Sequence, residues 1–483
     1  MKGRLIFLLL MVLIFSVQGR EQYSNSIVLE LTHRHAPQLN TRTKTQDQRL
    51  KDLLHHDFIR HNIISHKWRQ GLQPRARTRR VQAWEQTPIT TATTSNFTAA
   101  IEMPLGSGRD MGIGQYITSV KVGTPSQKFR LIVDTGSDLT WINCRYRCAR
   151  SDNCPKKGRI KGRRVFHAHL SSSFRPVPCF SQMCMVELMN LFSLTTCPTP
   201  LTPCAYDYRY IDGSAAMGVF ANETVTVSLT NGRKRRLHNV LIGCSDSFQS
   251  PTLQNVDGVI GLANSKYSFA TNAAEKLGGK FSYCLVDHLS HINGSNYLIF
   301  GTNHNQVMVT GNTHYTRLEL NLVSSFYAVN VMGISIGGKM LDIPFQVWDT
   351  TKGGGTILDS GTSLTVLTDP AYQPVMEAIK MSVSKYQKVK LDGVPMDYCF
   401  NSTGFDDTLV PKLIIHFADG ARFEPHRKSY VIAAADGVRC LGFLPARFPG
   451  TSVIGNIMQQ NYLWEFDLEG NKLGFAPSAC STS

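Results

Sequence analysis

Two short segments of the same kind, 134–137 and 359–362, begin 225 residues apart. The first reads Asp-Thr-Gly-Ser and the second Asp-Ser-Gly-Thr. Each follows an apolar run typical of a strand, 131–133 or 356–358, so each strand would end by presenting a carboxylate on a turn. The repetition predicts a pair of matching half-sites that face each other.

Two carboxylates that face each other closely cannot both ionise, so they share a proton. A carboxylate and a carboxylic acid that grip one water can activate the water, polarise a carbonyl and protonate a leaving nitrogen. The sequence therefore predicts amide hydrolysis with Asp134 and Asp359 as the catalytic residues. The pair titrates as a unit, and which residue carries the proton is left open.

The flanks of both segments carry a resemblance to a known family. Residues 123–125 and 129–133 resemble the family's approach to its first aspartate, and Val-Ile-Gly follows each segment at 259–261 and 453–455. From about residue 112 to 480 the chain resembles the pepsin-like aspartic peptidases, and among them the plant nepenthesin-type branch. The resemblance implies an all-β, bilobal fold with pseudo-two-fold lobes, a central cleft and disulfide bracing.

The resemblance also implies roles for the residues beside each aspartate. The glycines let the backbone donate hydrogen bonds to the carboxylates, the first hydroxyl residue of each segment joins the lobes, and the second contacts an outer carboxylate oxygen. The residues expected to support the dyad are Thr135, Gly136, Ser137, Ser360, Gly361 and Thr362.

A flap that covers the cleft is expected within residues 206–214, with Tyr210 at the family's flap-tyrosine position and Trp141 as its support. The alternative is that Tyr210 is only a strand aromatic. The family has glycine after this tyrosine, whereas this chain has Ile211. A β-branched residue there would restrict the hairpin and alter substrate preference.

Composition supports a β-rich globular protein. The hydrophobic fraction is 42% and the charged fraction 18%. Short apolar runs between glycine, proline and asparagine predict strands at 115–122, 224–228, 325–336 and 463–466. One helix is predicted at 370–384.

The chain divides into four predicted regions. Residues 1–19 have the pattern of a secretory signal peptide, with two basic residues before an apolar run that is too short to span a bilayer. Residues 20–105 form a basic propeptide and linker, 106–301 the N-terminal lobe and 302–483 the C-terminal lobe. Apolar periodicity at Leu50, Leu53, Leu54, Phe58, Ile59 and Ile63 predicts a helix in the propeptide.

Charge gives the propeptide an expected function. The net charge is +16, and residues 1–100 hold fifteen Lys/Arg against six Asp/Glu. A basic segment ahead of an acidic dyad predicts an intramolecular inhibitor that lies over the cleft and is released at low pH. The alternative is a basic linker with no inhibitory role.

Twelve cysteines in a secreted chain predict six disulfides, whose pairing spacing alone does not give. The resemblance implies Cys144–Cys148, Cys154–Cys244, Cys179–Cys204, Cys184–Cys197, Cys284–Cys480 and Cys399–Cys440. A zinc knuckle of Cys144, Cys148 and Cys154 with His167 and His169 is the alternative, which an oxidising compartment disfavours. We expect no metal or other cofactor.

Partners and location follow from the same features. We expect protein or peptide substrates, a monomer, the secretory pathway with an extracellular or vacuolar destination, and neither nucleic acid nor a stable membrane anchor. Glycosylation sequons stand at Asn96, Asn222, Asn293 and Asn401. The basic run 156–164 is interpreted as a solvated loop, with binding of acidic cell-wall polymers as the alternative. The rival function is a binding protein that keeps the fold without its dyad, which the two intact aspartates disfavour.

Overall fold

A computed structural model describes the following parts of the chain: 25–28, nine positions between 50 and 65, 99–107, 115–146, 164–189, 192, 194, 197–200, 202–209, 215–228, 233–249, 256–286, 296–301, 307–320, 325–394 and 396–482. No helix in these parts is long and apolar enough to cross a membrane. The predicted flap residues Tyr210 and Ile211 lie outside these parts, as do Asn96, Asn293, Cys148 and Cys154.

Strands dominate the described residues, so the predicted all-β class is confirmed. The strands up to residue 300 are β1 Asn25–Val28, β2 Ala99–Ser107, β3 Tyr116–Val122, β4 Gln127–Asp134, β5 Thr140–Arg145, β6 Phe166–His167, β7 Arg175–Pro176, β8 Ala205–Arg209, β9 Ala215–Ser228, β10 Lys234–Gln249, β11 Gly258–Gly261, β12 Lys280–Cys284 and β13 Asn296–Phe300. The later strands are β14 Val307–Val309, β15 His314–Glu319, β16 Tyr327–Val329, β17 Val331–Ile336, β18 Lys339–Met340, β19 Thr356–Asp359, β20 Thr365–Thr368, β21 Lys388–Val389, β22 Cys399–Asn401, β23 Leu413–Phe417, β24 Arg422–Phe423, β25 Val431–Ala435, β26 Val438–Leu441, β27 Phe443–Ala446, β28 Ser452–Gly455, β29 Tyr462–Asp467 and β30 Lys472–Thr482.

One sheet joins the two halves of the chain. Its strands run in the order β1, β2, β13, β12, β29, β30 and β15. The leader contributes β1, which pairs in parallel with β2, and both lobes contribute the strands beyond. The leader is therefore built into the sheet that connects the lobes.

The two lobes repeat one arrangement around their aspartates. In the first lobe β4 pairs in parallel with β11, and in the second β19 pairs in parallel with β28. Buried side chains alternate with partly exposed ones along β23, whereas β11, β19, β20 and β28 are buried throughout. Strands buried on both faces read as continuous apolar runs, which is what made them visible in the sequence.

Within the described residues of the two lobes, the α-helices are α1 Phe269–Glu275 and α2 Asp369–Val383. The predicted helix at 370–384 corresponds to α2, which begins one residue earlier than predicted and has Thr368 as its N-cap. Proline in the first turn fits because the missing N–H has no helical partner there. The helix buries its apolar side, including Tyr372, Val375 and Ile379, against the second lobe.

Candidate active site

Strand pairing brings each predicted aspartate to the centre of its lobe. Asp134 ends β4 opposite Gly261, and Asp359 ends β19 opposite Gly455. Both aspartates are buried, with exposed fractions of 3% and 0%. The Val-Ile-Gly segments thus stand beside the carboxylate strands in the same register in both lobes, which gives the sequence repeat its structural meaning.

The residues after each aspartate hold its carboxylate. The Gly136 N–H donates to Asp134 Oδ1 at 2.9 Å, and the Gly361 N–H donates to Asp359 Oδ1 at 3.0 Å. The hydroxyls of Ser137 and Thr362 donate to the Oδ2 atoms of the same aspartates. Each carboxylate therefore accepts one backbone and one side-chain hydrogen bond from its own loop.

Two hydroxyl residues join the loops across the lobes. The Thr135 N–H donates to Ser360 Oγ at 3.0 Å, and the Ser360 N–H donates to Thr135 Oγ1 at 2.8 Å. The Ser360 hydroxyl also donates to the Val133 carbonyl at 3.1 Å. These reciprocal bonds fix the position of one aspartate relative to the other.

The glycines are required because the loops approach closely. A Cβ at Gly361 would lie 2.5 Å from Asp134 Oδ1, and one at Gly136 would lie 3.1 Å from Asp359 Oδ1. Any side chain at either position would displace the opposite carboxylate. The Asp-x-Gly pattern is thus a packing requirement of the pair.

A residue that the sequence analysis missed lies between the two aspartates. The Arg60 guanidinium donates to both carboxylates, from Nε to Asp359 Oδ2 at 2.6 Å, from Nη1 to Asp134 Oδ2 at 2.6 Å and from Nη2 to Asp359 Oδ1 at 2.7 Å. Nη2 also donates to Asp134 Oδ1. A planar fork matches two carboxylates well, and its position excludes a substrate carbonyl from the dyad.

Arg60 belongs to the leader, which is helical at all nine described positions between 50 and 65. Leu50, Leu54 and Ile64 are buried in one apolar cluster with second-lobe residues. Phe58, which periodicity placed on the apolar side, is 66% exposed. The helix therefore packs on the second lobe with a face different from the one that the full periodic set predicts.

A second leader residue is bound beside the dyad. Asp57 is buried, and its carboxylate accepts hydrogen bonds from the N–H groups of Ser363 at 2.8 Å and Leu364 at 2.6 Å. The Asp57 carboxylate thus attaches the helix to the second lobe. Arg60, whose guanidinium contacts the two catalytic aspartates, follows about one turn later. In the sequence, the helical periodicity and the basic charge of the leader pointed to this segment, but neither identified Asp57 or Arg60.

Two buried carboxyl groups at the site have pKa values that shift in opposite directions. Burial alone would raise the pKa of Asp359, but the Arg60 charge and hydrogen bonds outweigh burial and hold that pKa below its usual range. Burial raises the pKa of Asp57 to about 7, although the two backbone hydrogen bonds oppose the rise. Arg60 favours the ionised form of Asp359, whereas the carboxyl group of Asp57 is close to protonation near neutral pH.

The flap region is described only in part. Trp141 lies buried in β5, in one apolar cluster with Tyr206 of β8, the strand that leads to the predicted flap turn. The Tyr206 hydroxyl and Ser245 Oγ are 2.7 Å apart. Trp141 therefore supports the base of this hairpin, while its contact with Tyr210 stays a prediction.

The structure corrects the disulfide pairing in the first lobe. Parallel strands β5 and β10 bring Cys144 and Cys244 together with Cα atoms 4.9 Å apart, and they form a disulfide. The predicted Cys144–Cys148 and Cys154–Cys244 pairs are therefore wrong. Cys144 is also lost as a ligand for the alternative zinc knuckle.

The neighbouring pairs are exchanged relative to the prediction. The disulfides are Cys179–Cys197 and Cys184–Cys204, so the predicted Cys179–Cys204 and Cys184–Cys197 pairs are wrong. The sulfurs of Cys179, Cys184 and Cys197 lie within 4.8 Å of one another, so all four cysteines converge and their order cannot give the pairing.

In the second lobe the predicted Cys284–Cys480 and Cys399–Cys440 pairs are confirmed. Cys399 and Cys440 stand directly opposite each other on β22 and β26. Two sequons are described, and glycosylation at either stays a prediction. Asn401 ends β22, and its Oδ1 accepts hydrogen bonds from the N–H and hydroxyl of Thr403, whereas Asn222 lies within β9.

Family models match most of the chain. Residues 116–302 match the model described as "Xylanase inhibitor N-terminal", and 326–477 match "Xylanase inhibitor C-terminal". The first model ends at residue 302 and the second begins at residue 326, so the gap between them lies next to the predicted lobe boundary at 301/302.

Similar proteins are named as peptidases. Aspartic proteinase nepenthesin-2 of Nepenthes gracilis is 32% identical over 80% of this chain and 81% of its own length. Aspartyl protease family protein 2 of Arabidopsis thaliana is 31% identical over 78% of this chain and 73% of its own length.

Among solved structures, the one titled "Crystal structure of edgp" matches with a TM-score of 0.62 at 22% identity, over 79% of this chain and 96% of that chain. Basic 7S globulin from soybean matches with a TM-score of 0.61 at 20% identity, over 79% and 95%. These structural likenesses bear on the fold alone.

Proposed function

The chain belongs to the pepsin-like aspartic protease family, and we propose that it is a secreted endopeptidase, made as an inactive precursor and active at acid pH. The observation that carries the proposal is the pair of buried carboxylates on cross-linked loops, with Arg60 of the leader bound between them. A binding protein would need neither the intact pair nor a residue that covers it.

The geometry gives each group a step in hydrolysis. Once Arg60 leaves, Asp134 and Asp359 share one proton and bind a water between them. The ionised carboxylate takes a proton from the water, and the protonated one polarises the peptide carbonyl. The loop hydrogen bonds keep both carboxylates oriented, so little reorganisation is needed as charge moves.

The proposed activity at acid pH follows from the charges of the dyad and of Arg60. A single shared proton is lost from the dyad as pH rises, which ends the catalytic form. Arg60 favours the ionised form of Asp359, so protonation of that carboxylate in acid weakens the attachment of Arg60. Acidification therefore both releases the leader and protonates the dyad.

The proposed secretion of the protein is supported by the N-terminal apolar run and by the disulfides. Cross-links such as Cys144–Cys244 and Cys284–Cys480 persist in oxidising compartments. We accordingly propose passage through the secretory pathway to the cell exterior or a vacuole, with glycosylation and a monomeric state. Protein and peptide chains are the proposed substrates.

The direct test is cleavage of an unfolded, reduced and alkylated protein by the matured enzyme between pH 2.5 and 8. We expect internal peptide bonds to be cut, with a maximum at acid pH, because the catalytic form carries one shared proton. Fragments are identified by mass spectrometry. A folded, correctly matured enzyme that cuts nothing at any pH would move the function to binding, as the names of the matched family models suggest for their own members.

Asp57 gives a second test, because its protonation opposes release. Its pKa is about 7 when the leader is bound and near 3.8 when free, so the bound state takes up a proton between these values. Leader attachment through Asp57 thus strengthens as pH falls from 7 towards 4, whereas the Arg60 contact weakens in acid. Asp359 is the acidic neighbour that adds to the rise.

We therefore expect Asp57→Asn to make release more sensitive to acid. Between pH 7.5 and 4.5 its leader attachment should weaken by at least about tenfold more than that of the parent, since one pKa unit corresponds to tenfold. The measurement is hydrogen exchange of the helix amides, corrected for intrinsic rates, with Asp134→Asn in both proteins to prevent self-cleavage. Equal pH dependence in the two proteins would contradict the role of Asp57.

A further inference from the structure

The two catalytic loops are not equivalent in what lies behind them. The residue after each Val-Ile-Gly strand is fully buried in both lobes, but it is Leu262 in the first and Asn456 in the second. The strands place these residues alike, because Gly261 stands opposite Asp134 and Gly455 opposite Asp359. An apolar side chain in one half is thus replaced by an amide in the other.

A second pair of corresponding residues differs in the same way. Gln115 precedes β3 and Phe326 precedes β16, each followed by a tyrosine whose strand pairs with the carboxylate strand. Each reaches the catalytic glycine of the opposite lobe. Gln115 Nε2 donates to the Gly361 carbonyl at 3.1 Å, whereas the Phe326 ring lies 3.2 Å from where a Cβ of Gly136 would stand.

The two amides bind two successive peptide groups of the Asp359 loop. Asn456 Nδ2 donates to the Ser360 carbonyl at 2.9 Å, and the N–H of that same peptide, from Gly361, donates to Asp359 Oδ1. The carbonyl held by Gln115 belongs to the next peptide, which leads into Thr362, whose hydroxyl donates to Asp359 Oδ2. A hydrogen bond at a carbonyl polarises its peptide and strengthens the bond donated by the N–H of the same group.

Burying these two amide groups destabilises the folded state. Both residues are buried, Gln115 with 7% exposed and Asn456 with 0%, and within the described residues neither amide oxygen receives a hydrogen bond. A buried acceptor without a donor is destabilising, so apolar residues like those of the first lobe would suit packing better. The cost points to a function at the Asp359 loop.

We propose that Gln115 and Asn456 are positioning residues that hold the Asp359 loop from both lobes and stabilise negative charge on that side of the dyad. Phe326 and Leu262 leave the Asp134 loop without such support. The inference rests on the proposed peptidase function, since it concerns how the dyad titrates during catalysis.

The test replaces each amide with an apolar residue of similar size, as Asn456→Leu and Gln115→Met, in the matured enzyme. We expect kcat/KM to fall about tenfold in each. The acid limb of the pH–rate profile should also move to higher pH, because the anionic form of the dyad loses stabilisation. A merely structural role would lower the rate equally at every pH, and unchanged limbs in both folded variants would overturn the inference.

Gln115→Glu supplies a rescue that depends on pH. When protonated, its carboxyl can donate to the Gly361 carbonyl as glutamine does, and when ionised it cannot donate and repels the dyad. We expect near-parental activity at the acid end and a loss of about tenfold or more that grows as pH rises. A Gln115→Glu profile parallel to the parental profile would contradict the hydrogen-bond role.

The matched control lies in the other lobe. Phe326→Leu alters the residue that corresponds to Gln115 without removing a donor, and it should leave the limbs of the profile in place. Thermal unfolding of each variant separates misfolding from a catalytic effect. An inactive parent would refute the peptidase function itself, whereas an active parent with unmoved limbs in the amide variants would refute only this inference.

Discussion

Asp359→Asn is expected to abolish peptide-bond cleavage by the matured enzyme, with a loss of at least about 10³-fold in kcat/KM. An amide cannot share a proton with Asp134 or take one from water. Its NH2 group would also face the Gly361 N–H if it replaced Oδ1, so the loop would lose an acceptor as well as a charge. Initial rates on a fluorogenic peptide across pH measure the loss.

Asp134→Asn should behave in the same way, because the two carboxylates act as one unit. The control is Asp342→Asn, which removes a negative charge from an exposed position in the second lobe and should cut at the parental rate. If either dyad variant kept substantial activity at every pH while remaining folded, hydrolysis by the shared-proton pair would be wrong.

Local chemistry made the dyad predictable from the sequence. Strands buried on both faces appear as short apolar runs, and the glycines follow from the close approach of the opposite carboxylate. The roles of Thr135 and Ser360 were implied by the family resemblance, and the structure supplies the reason, since the N–H of each residue donates to the hydroxyl of the other. These constraints act within a few residues of each strand end.

Disulfide pairing lay beyond such reasoning because it depends on strands far apart in the chain. Cys144 meets Cys244 through the pairing of β5 with β10, across 100 residues. The correct Cys399–Cys440 pair was implied by the resemblance, and in the structure adjacent strands of one small sheet place the two cysteines opposite each other. Where four cysteines converge, as around Cys184, several pairings satisfy the same spacing.

The contacts that the leader makes with the second lobe could not be predicted from the sequence for a related reason. Periodicity predicts a helix but not which of its faces meets the protein, and Phe58 is exposed while Ile64 is buried. The charge of the leader predicted attraction to the dyad without identifying Arg60. The phase of the helix is set by its apolar contacts with the second lobe, whose residues lie far along the chain, from Phe326 onwards.

Arg60→Ala is expected to make the intact precursor active without removal of the leader. The variant loses every hydrogen bond between the guanidinium and the two carboxylates, which leaves the dyad free to hold its shared proton and water. Truncating one partner of such a buried charge pair costs several kcal/mol, so cleavage by the uncut precursor should rise by about a hundredfold. The measurement is the initial rate on a short fluorogenic peptide, with the precursor verified as uncut by electrophoresis.

Two further variants separate the guanidinium from the general charge of the leader. Lys51→Ala removes one positive charge from the leader and should leave the precursor latent, because the Lys51 side chain lies near Gly393 and is not among the groups that donate to Asp134 or Asp359. Arg60→Lys keeps the charge but not the fork that reaches both carboxylates, so its rate should fall between those of the parent and Arg60→Ala. An Arg60→Ala precursor as inactive as the parent would mean that the apolar contacts of Leu50 and Leu54 hold the leader in place and block the cleft by themselves.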